Sequence, residues 1–156
     1  MRCPRLNFSF FIMAASLFTR EEKTRIEQAV RRAEGNTSGE IRVHIERRCP
    51  EELMDRAAYL FERLKMHKTA ARNGVLFYLA IDDHLFAILG DVGINARVGD
   101  DFWQQIKAEM LRFFKEGDAV GGLEKGILMA GEQLKVLFPR QEDDVNELSD
   151  ELSFGR

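Results

Sequence analysis

The 156-residue chain is poor in the residues that announce a site. It has two cysteines, three histidines, three prolines and one tryptophan. Cys3 and Cys49 offer neither a disulfide framework nor a metal-binding spacing. His44, His67 and His84 are scattered and fit no zinc motif. No run reaches the ~18 to 20 apolar residues that a membrane-spanning helix needs, and there is neither an internal repeat nor a low-complexity segment. Charge of one sign is also scarce. The formal charge is −3, and residues 142–156 hold six acidic groups and one arginine, a net −5, which leaves +2 for the rest. A mildly basic body with an acidic tail carries no nucleic-acid signature, and Arg31-Arg32 and Arg47-Arg48 read as solvated faces.

What is present suffices for one domain with a sizeable core, since 45% of the residues are hydrophobic. Residues 1–18 read as an extension. Arg2 and Arg5 before an apolar run ending Ala14-Ala15-Ser16 resemble a weak secretory signal. Met13, directly ahead of a clean start at Thr19, fits an upstream-extended start, which is the preferred reading and places the chain in the cytoplasm. Residues 19–138 then form the domain and 139–156 an acidic tail.

Thr19 to Glu22 is a capping box, followed by Ile26, Ala29, Val30 and Ala33 on one helical face. In GEIRVHIER, Ile41, Val43 and Ile45 alternate with Arg42, His44 and Glu46, the pattern of a strand with one wet face and an outward His44. Pro50 opens a second helix, with Leu53, Ala57, Leu60, Phe61 and Leu64 inward. Val75–Ile81 is apolar on both faces, as in a covered central strand. Asp82-Asp83 suits a hairpin turn into a third strand, His84 to Leu89. Asp100 or Asp101 is expected to cap a third helix. A fourth carries Gly122, Gly126 and Gly131, each costing about 1 kcal/mol relative to alanine, which implies close backbone packing. The order α-β-α-β-β-α-α, with a right-handed parallel crossover between the first two strands, predicts a three-layer α/β/α sandwich around a small mixed sheet.

That topology sorts the polar residues onto two edges. The edge where the first two strands begin gathers Ser38, Glu40, His67, Lys68, Arg72, Asn73, Asp91, Asn95, Asp100 and Asp101, with the tail arriving from the fourth helix. The opposite edge holds Glu46 to Pro50 and the Asp82-Asp83 turn. Parallel sheets usually bind ligands at the carboxyl ends of their strands, which is the second edge. The first edge nevertheless has the long loop Gly90–Gly99 and carboxylates and an amide suited to a hard cation, calcium or magnesium. Its basic residues suit a phosphate. The bland alternative is capping and solvated charge.

Ser38-Gly39-Glu40-Ile41, Arg72-Asn73-Gly74-Val75-Leu76, Gly90-Asp91-Val92-Gly93, Asp101 and Gly117-Asp118 with Gly122-Leu123 together resemble the TPM-domain family over about residues 19–138. The likeness is to its stand-alone bacterial form, whose tail PRQEDDVNELSDELSFG also resembles. The resemblance implies an α/β/α sandwich, divalent-cation binding and, in some members, weak phosphatase activity. It puts the family's asparagine–glycine pair at Asn73-Gly74, its glycine loop at Gly90–Gly93 and its loop-to-helix aspartate at Asp101. The chain departs from many members in having Ala71-Arg72 in place of a basic–aspartate pair, and Gly-Asp-Val-Gly in place of Gly-Tyr-Gly. The metal set expected is Glu40, Asn73, Asp91 and Asp101, with Asp143 and Asp144 from the tail. Asp91, Arg72 and Lys68 are the candidate catalytic groups of a metal-dependent phosphomonoesterase. The expected partner is a phosphorylated small molecule or, in a non-catalytic reading, a protein docked on the acidic edge and tail.

Overall fold

A computed structural model describes residues 18–141, 148–149 and 151–155. Helix α1 (Arg20–Glu34) begins at the expected capping box, with Thr19 and Glu22 bonding each other's backbone N–H. Strand β1 (Glu40–Glu46) follows, then α2 (Leu53–Arg63), β2 (Gly74–Ala80) and β3 (Leu85–Gly90). A single turn α3 (Val92–Asn95) leads to α4 (Asp100–Lys115) and α5 (Ala119–Leu137), and β4 (Ser153–Phe154) comes last.

The sheet order is β3-β2-β1-β4. β1 runs parallel to β2, and β3 returns antiparallel to β2, as the predicted crossover and hairpin require. Two elements go beyond the sequence reading. α3 lies inside the predicted loop, started by Asp91, whose carboxylate accepts from Val92 N–H at 2.8 Å. β4 comes from the tail and pairs in parallel with β1 at His44 and Ile45. Both are too short to generate a detectable period.

Period-2 alternation divides the sheet into unequal faces. Ile41, Val43, Ile45, Val75, Phe77, Leu79, Phe86 and Ile88 meet α1, α4 and α5 in one large core. On the other face Leu76, Tyr78, Ala80 and Ala87 meet α2 and its flanks, with Leu148 of the tail packed against them. β2 is buried on both sides throughout, so its seven residues need no polar alternation. The glycines of α5 mark close contact. A Cβ at Gly122 would come within 2.5 Å of Phe114, one at Gly131 within 2.6 Å of Ala33, and one at Gly126 would overlap Met110. The helical propensity lost at these positions is offset by backbone approach to α4 and α1.

Three local readings are corrected. α2 starts at Leu53 under an N-cap from Glu52, whose carboxylate accepts from Asp55 N–H, so Pro50 stands outside it. α4 is capped by Gly99 without a side-chain bond, and Asp100 and Asp101 occupy its first turn, where carboxylates favour the helix dipole. His44 is not outward: it is 4% exposed, beside the Tyr78 ring and with its Nδ1 2.9 Å from Ser153 Oγ of β4, which pairs with β1. The Asp82-Asp83 turn holds as read. Asp82 pairs with Arg47 at 3.0 Å, and Asp83 accepts from Cys49 N–H at 2.7 Å.

Candidate functional site

The starts of β1 and β2 and the end of β3 form one edge of the sheet. Glu40 lies opposite Gly74 in the β1–β2 register, and Asp91 N–H donates to Gly74 O on the other side. Glu40, Gly74 and Asp91 therefore form a row across three strands. Alternation turns both carboxylates toward the α2 side, roughly 10 Å apart at Cα. Both are buried, at 3% and 5% exposure. The glycine between them is needed: a Cβ there would stand 2.8 Å from Met66 O.

Asp91 is paired. Arg72 Nε and Nη2 donate to its two oxygens at 2.7 and 2.8 Å, a bidentate bridge. The hydrogen bond to Asp91 raises the Arg72 pKa above its ordinary value, against an opposing effect of burial and helped by the charge of Asp91. Arg72 takes φ 51°, a left-handed backbone that costs a non-glycine residue energy. Its carbonyl accepts from Gly93 N–H at 2.9 Å. Gly93 allows the close approach, since a Cβ would collide with Ala71 O. The loop and the segment before β2 thus position each other.

Asn73 is 1% exposed. Its backbone N–H donates to Thr69 Oγ1 and its Nδ2 to Ser38 Oγ, while its buried Oδ1 has no hydrogen-bond partner among the described residues. Lys68 lies exposed in the turn after α2. Asp101 is exposed in the first turn of α4, not drawn into the buried row. Asp143 and Asp144 fall outside the described residues. The structure therefore brings together Arg72 with Asp91, and Glu40, Gly74 and Asn73 at adjacent strand starts. A cavity of about 320 Å³ is lined by His67, Arg72, Asp91, Val92 and Phe61.

Sequence reasoning placed Asn95 on this edge but missed its partners, Gly90 and Trp103. Asn95 Nδ2 donates to Gly90 O at 2.9 Å, and its Oδ1 accepts from Trp103 Nε1 at 3.1 Å. Gly90 is the complement, because a Cβ there would meet the Trp103 ring at 2.5 Å. A second cavity, about 280 Å³, is lined by Asn95, Asp100, Trp103 and the buried Lys107.

A larger missed cluster lies on β1. Glu46, 1% exposed, accepts from Arg56 Nε and Nη2, both at 2.8 Å, and from the Tyr78 hydroxyl. His44 Nε2 lies 3.4 Å from the same carboxylate, and its Nδ1 lies 2.9 Å from Ser153 Oγ. Burial pushes the Glu46 carboxyl up, but the bonds from His44, Arg56 and Tyr78 outweigh it and hold it down at about 2. Burial and the bond to Glu46 push the Tyr78 hydroxyl upward. One signal was available: every second position from Glu40 to Glu46 is ionisable or histidine, unusual for a strand inside a sheet.

The family model for the TPM domain matches residues 12–133. The chain belongs to the TPM-domain family. Among solved structures, this TPM domain is similar to the BA42 protein of the psychrophilic bacterium Bizionia argentinensis. The identity is 44% and the TM-score 0.87, over 92% of this chain and 99% of that one. It shares the fold of the N-terminal domain of the cg2496 protein from Corynebacterium glutamicum, with TM-score 0.61 and 12% identity over 79% of this chain and 86% of that one. No curated protein matches. No helix among the described residues is long and apolar enough to cross a membrane.

Proposed function

We propose that this TPM domain binds a divalent cation, calcium or magnesium, at the edge of Glu40, Gly74 and Asp91. The observation that carries the reading is the pair of buried carboxylates flanking one glycine in a single row. Calcium takes six to eight oxygens from carboxylates, amide and backbone carbonyls and water. Glu40 and Asp91 supply the first kind, and the buried, unpartnered Oδ1 of Asn73 supplies the second at the same edge. The donor chemistry fits a hard cation. Among the described residues no three His, Cys, Asp or Glu side chains gather as a metal cluster, so carbonyl and water oxygens must complete the set. Arg72 now stands where a cation would neutralise Asp91, and its side chain is 47% exposed. Swinging it into solvent frees the carboxylate.

Such a cation supplies positive charge and Lewis acidity when bound. Arg72 and Lys68 could steady a phosphoryl group beside it. Ser38 Oγ accepts from Asn73 Nδ2, and among the described residues no base bonds to it. Cation binding therefore ranks ahead of phosphomonoesterase activity. A partner-docking reading has one observation in its favour, Val92, 60% exposed on the rim of the same cavity.

Thermal unfolding tests the cation. At ~100 times its dissociation constant, calcium or magnesium should add roughly 2.7 kcal/mol by binding only the folded state. Glu40→Gln with Asp91→Asn should abolish the gain, the asparagine retaining a helix cap. A full response in that double variant, or its loss in Asp82→Asn with Asp83→Asn, would move the site elsewhere. A phosphatase would need metal-dependent hydrolysis of an aryl phosphate that drops in Asp91→Asn. Equal rates in wild type and variant would leave binding alone.

A further inference from the structure

The thin layer on the α2 side leaves part of β1 under no helix. There a cavity of about 500 Å³ runs between α2 and β4. His44 and Glu46 form its floor. Arg56, Tyr59, Leu60 and Arg63, at i, i+3, i+4 and i+7 of α2, form one wall. Phe154 and Gly155 form the other, with Arg48 and Pro50 at the carboxyl end of β1. The volume is within the usual range for small-molecule sites, about 300 to 1,000 Å³.

Among the described residues that line the cavity, three arginines face one carboxylate, Glu46, which is bonded to Arg56. Neither Arg48 nor Arg63 has a carboxylate within ion-pair distance among the described residues. Uncompensated like charges lining a concave surface raise the local potential and favour an anion. Arginine forks suit phosphate oxygens in particular. The α2 wall is also aromatic, since Tyr59 is 48% exposed and lines this cavity. Tyr59 already has the Arg56 guanidinium 5.4 Å from its ring centre. An exposed aromatic face beside arginines can stack a planar ring.

We propose that the cavity between α2 and β4 binds a small phosphorylated ligand bearing a planar ring, its phosphate on Arg48, Arg56 and Arg63 and its ring against Tyr59. A mononucleotide has this chemistry. The site is separate from the cation edge: it lies over the outer half of β1 and uses none of Glu40, Arg72, Asn73 or Asp91.

The test titrates the full chain with adenosine 5′-monophosphate in chelator, so that its outcome is independent of any cation. Amide chemical shifts are followed by NMR, with adenosine and inorganic phosphate run in parallel. The nucleotide should move amides at 44–48, 56–63 and 153–155. Adenosine should bind at least about tenfold more weakly, the value of one well-formed charged contact. Arg48→Gln with Arg63→Gln, both solvent-facing, should weaken the nucleotide by about tenfold or more at unchanged melting temperature, and Arg72→Gln should not. Tyr59→Ala should remove the preference for nucleotide over phosphate. No shifts at millimolar nucleotide, or undiminished binding in the double arginine variant, would overturn the site. Phosphate binding as tightly as nucleotide would overturn the role given to Tyr59.

Discussion

The molecule contains the same ion pair twice, in two different enclosures. Arg56–Glu46 and Arg72–Asp91 are both bidentate, with contacts of 2.7 to 2.8 Å. In both the carboxylate is buried, its side chain 2% exposed in Glu46 and 4% in Asp91. The arginines differ: 18% of the Arg56 side chain is exposed against 47% of Arg72. Glu46 is also held by Tyr78 and His44, and Gly155, just after β4, packs against it. Asp91 has besides Arg72 only the Val92 N–H among side-chain bonds of the described residues. Pair geometry alone does not assign a role. Enclosure makes the first pair a fixed part of the fold and leaves the second able to exchange its cation.

The largest consequence is for stability. Arg56→Ala leaves Glu46 buried without its counter-charge and should cost about 3 to 5 kcal/mol. Arg72→Ala also orphans a buried carboxylate but should cost clearly less, because water can enter where the half-exposed guanidinium stood and solvate Asp91. Equal losses in chemical denaturation would erase the distinction.

Acid should separate the pairs next. The Glu46 carboxyl lies at about 2 in the fold against an ordinary 4.5. Between those values the unfolded chain holds the extra proton, so this stabilisation is complete above about pH 4.5 and is lost as pH falls toward 2. Glu46→Gln should flatten that limb of the stability profile. An unchanged slope would mean that another carboxylate sets it.

The smallest effect concerns the strap over the closed pair. A Cβ at Gly155 would collide with Glu46 Oε2. Gly155→Ala should detach β4 and not unfold the domain, a local opening on the order of 1 kcal/mol. Amide exchange should speed up at Gly155, whose N–H donates to Ile45 O, with β2 unaffected. Protection unchanged at Gly155 would show that β4 absorbs the methyl group.

The pairs also mark what the sequence could and could not convey. The apolar stripes of α1 and α2 and the continuous run of β2 are periodic, so the layers, the parallel crossover and the hairpin followed from spacing. The glycines of α5 likewise implied the contact found with Met110, Phe114 and Ala33. Arg72 and Asp91 were placed on one edge, but nothing in their spacing disclosed that they bind each other. Alternation also misled at β1. It distinguishes two faces without saying whether the polar one is wet, and a two-residue strand from the tail decided that for His44. Asp101 was placed in the metal set by the family resemblance, and it stands exposed in the first turn of α4, where its charge favours the helix dipole.

The most direct test watches both guanidiniums at once. Arginine Nε–Hε resonances can be followed by NMR while calcium is titrated into the metal-free protein. The account predicts that the Arg72 signal moves toward that of a free, solvated arginine as the cation takes Asp91, while Arg56 stays fixed. Arg72→Gln should then bind calcium more tightly than wild type. An Arg72 signal that does not respond at saturating calcium, or one that moves together with Arg56, would contradict it.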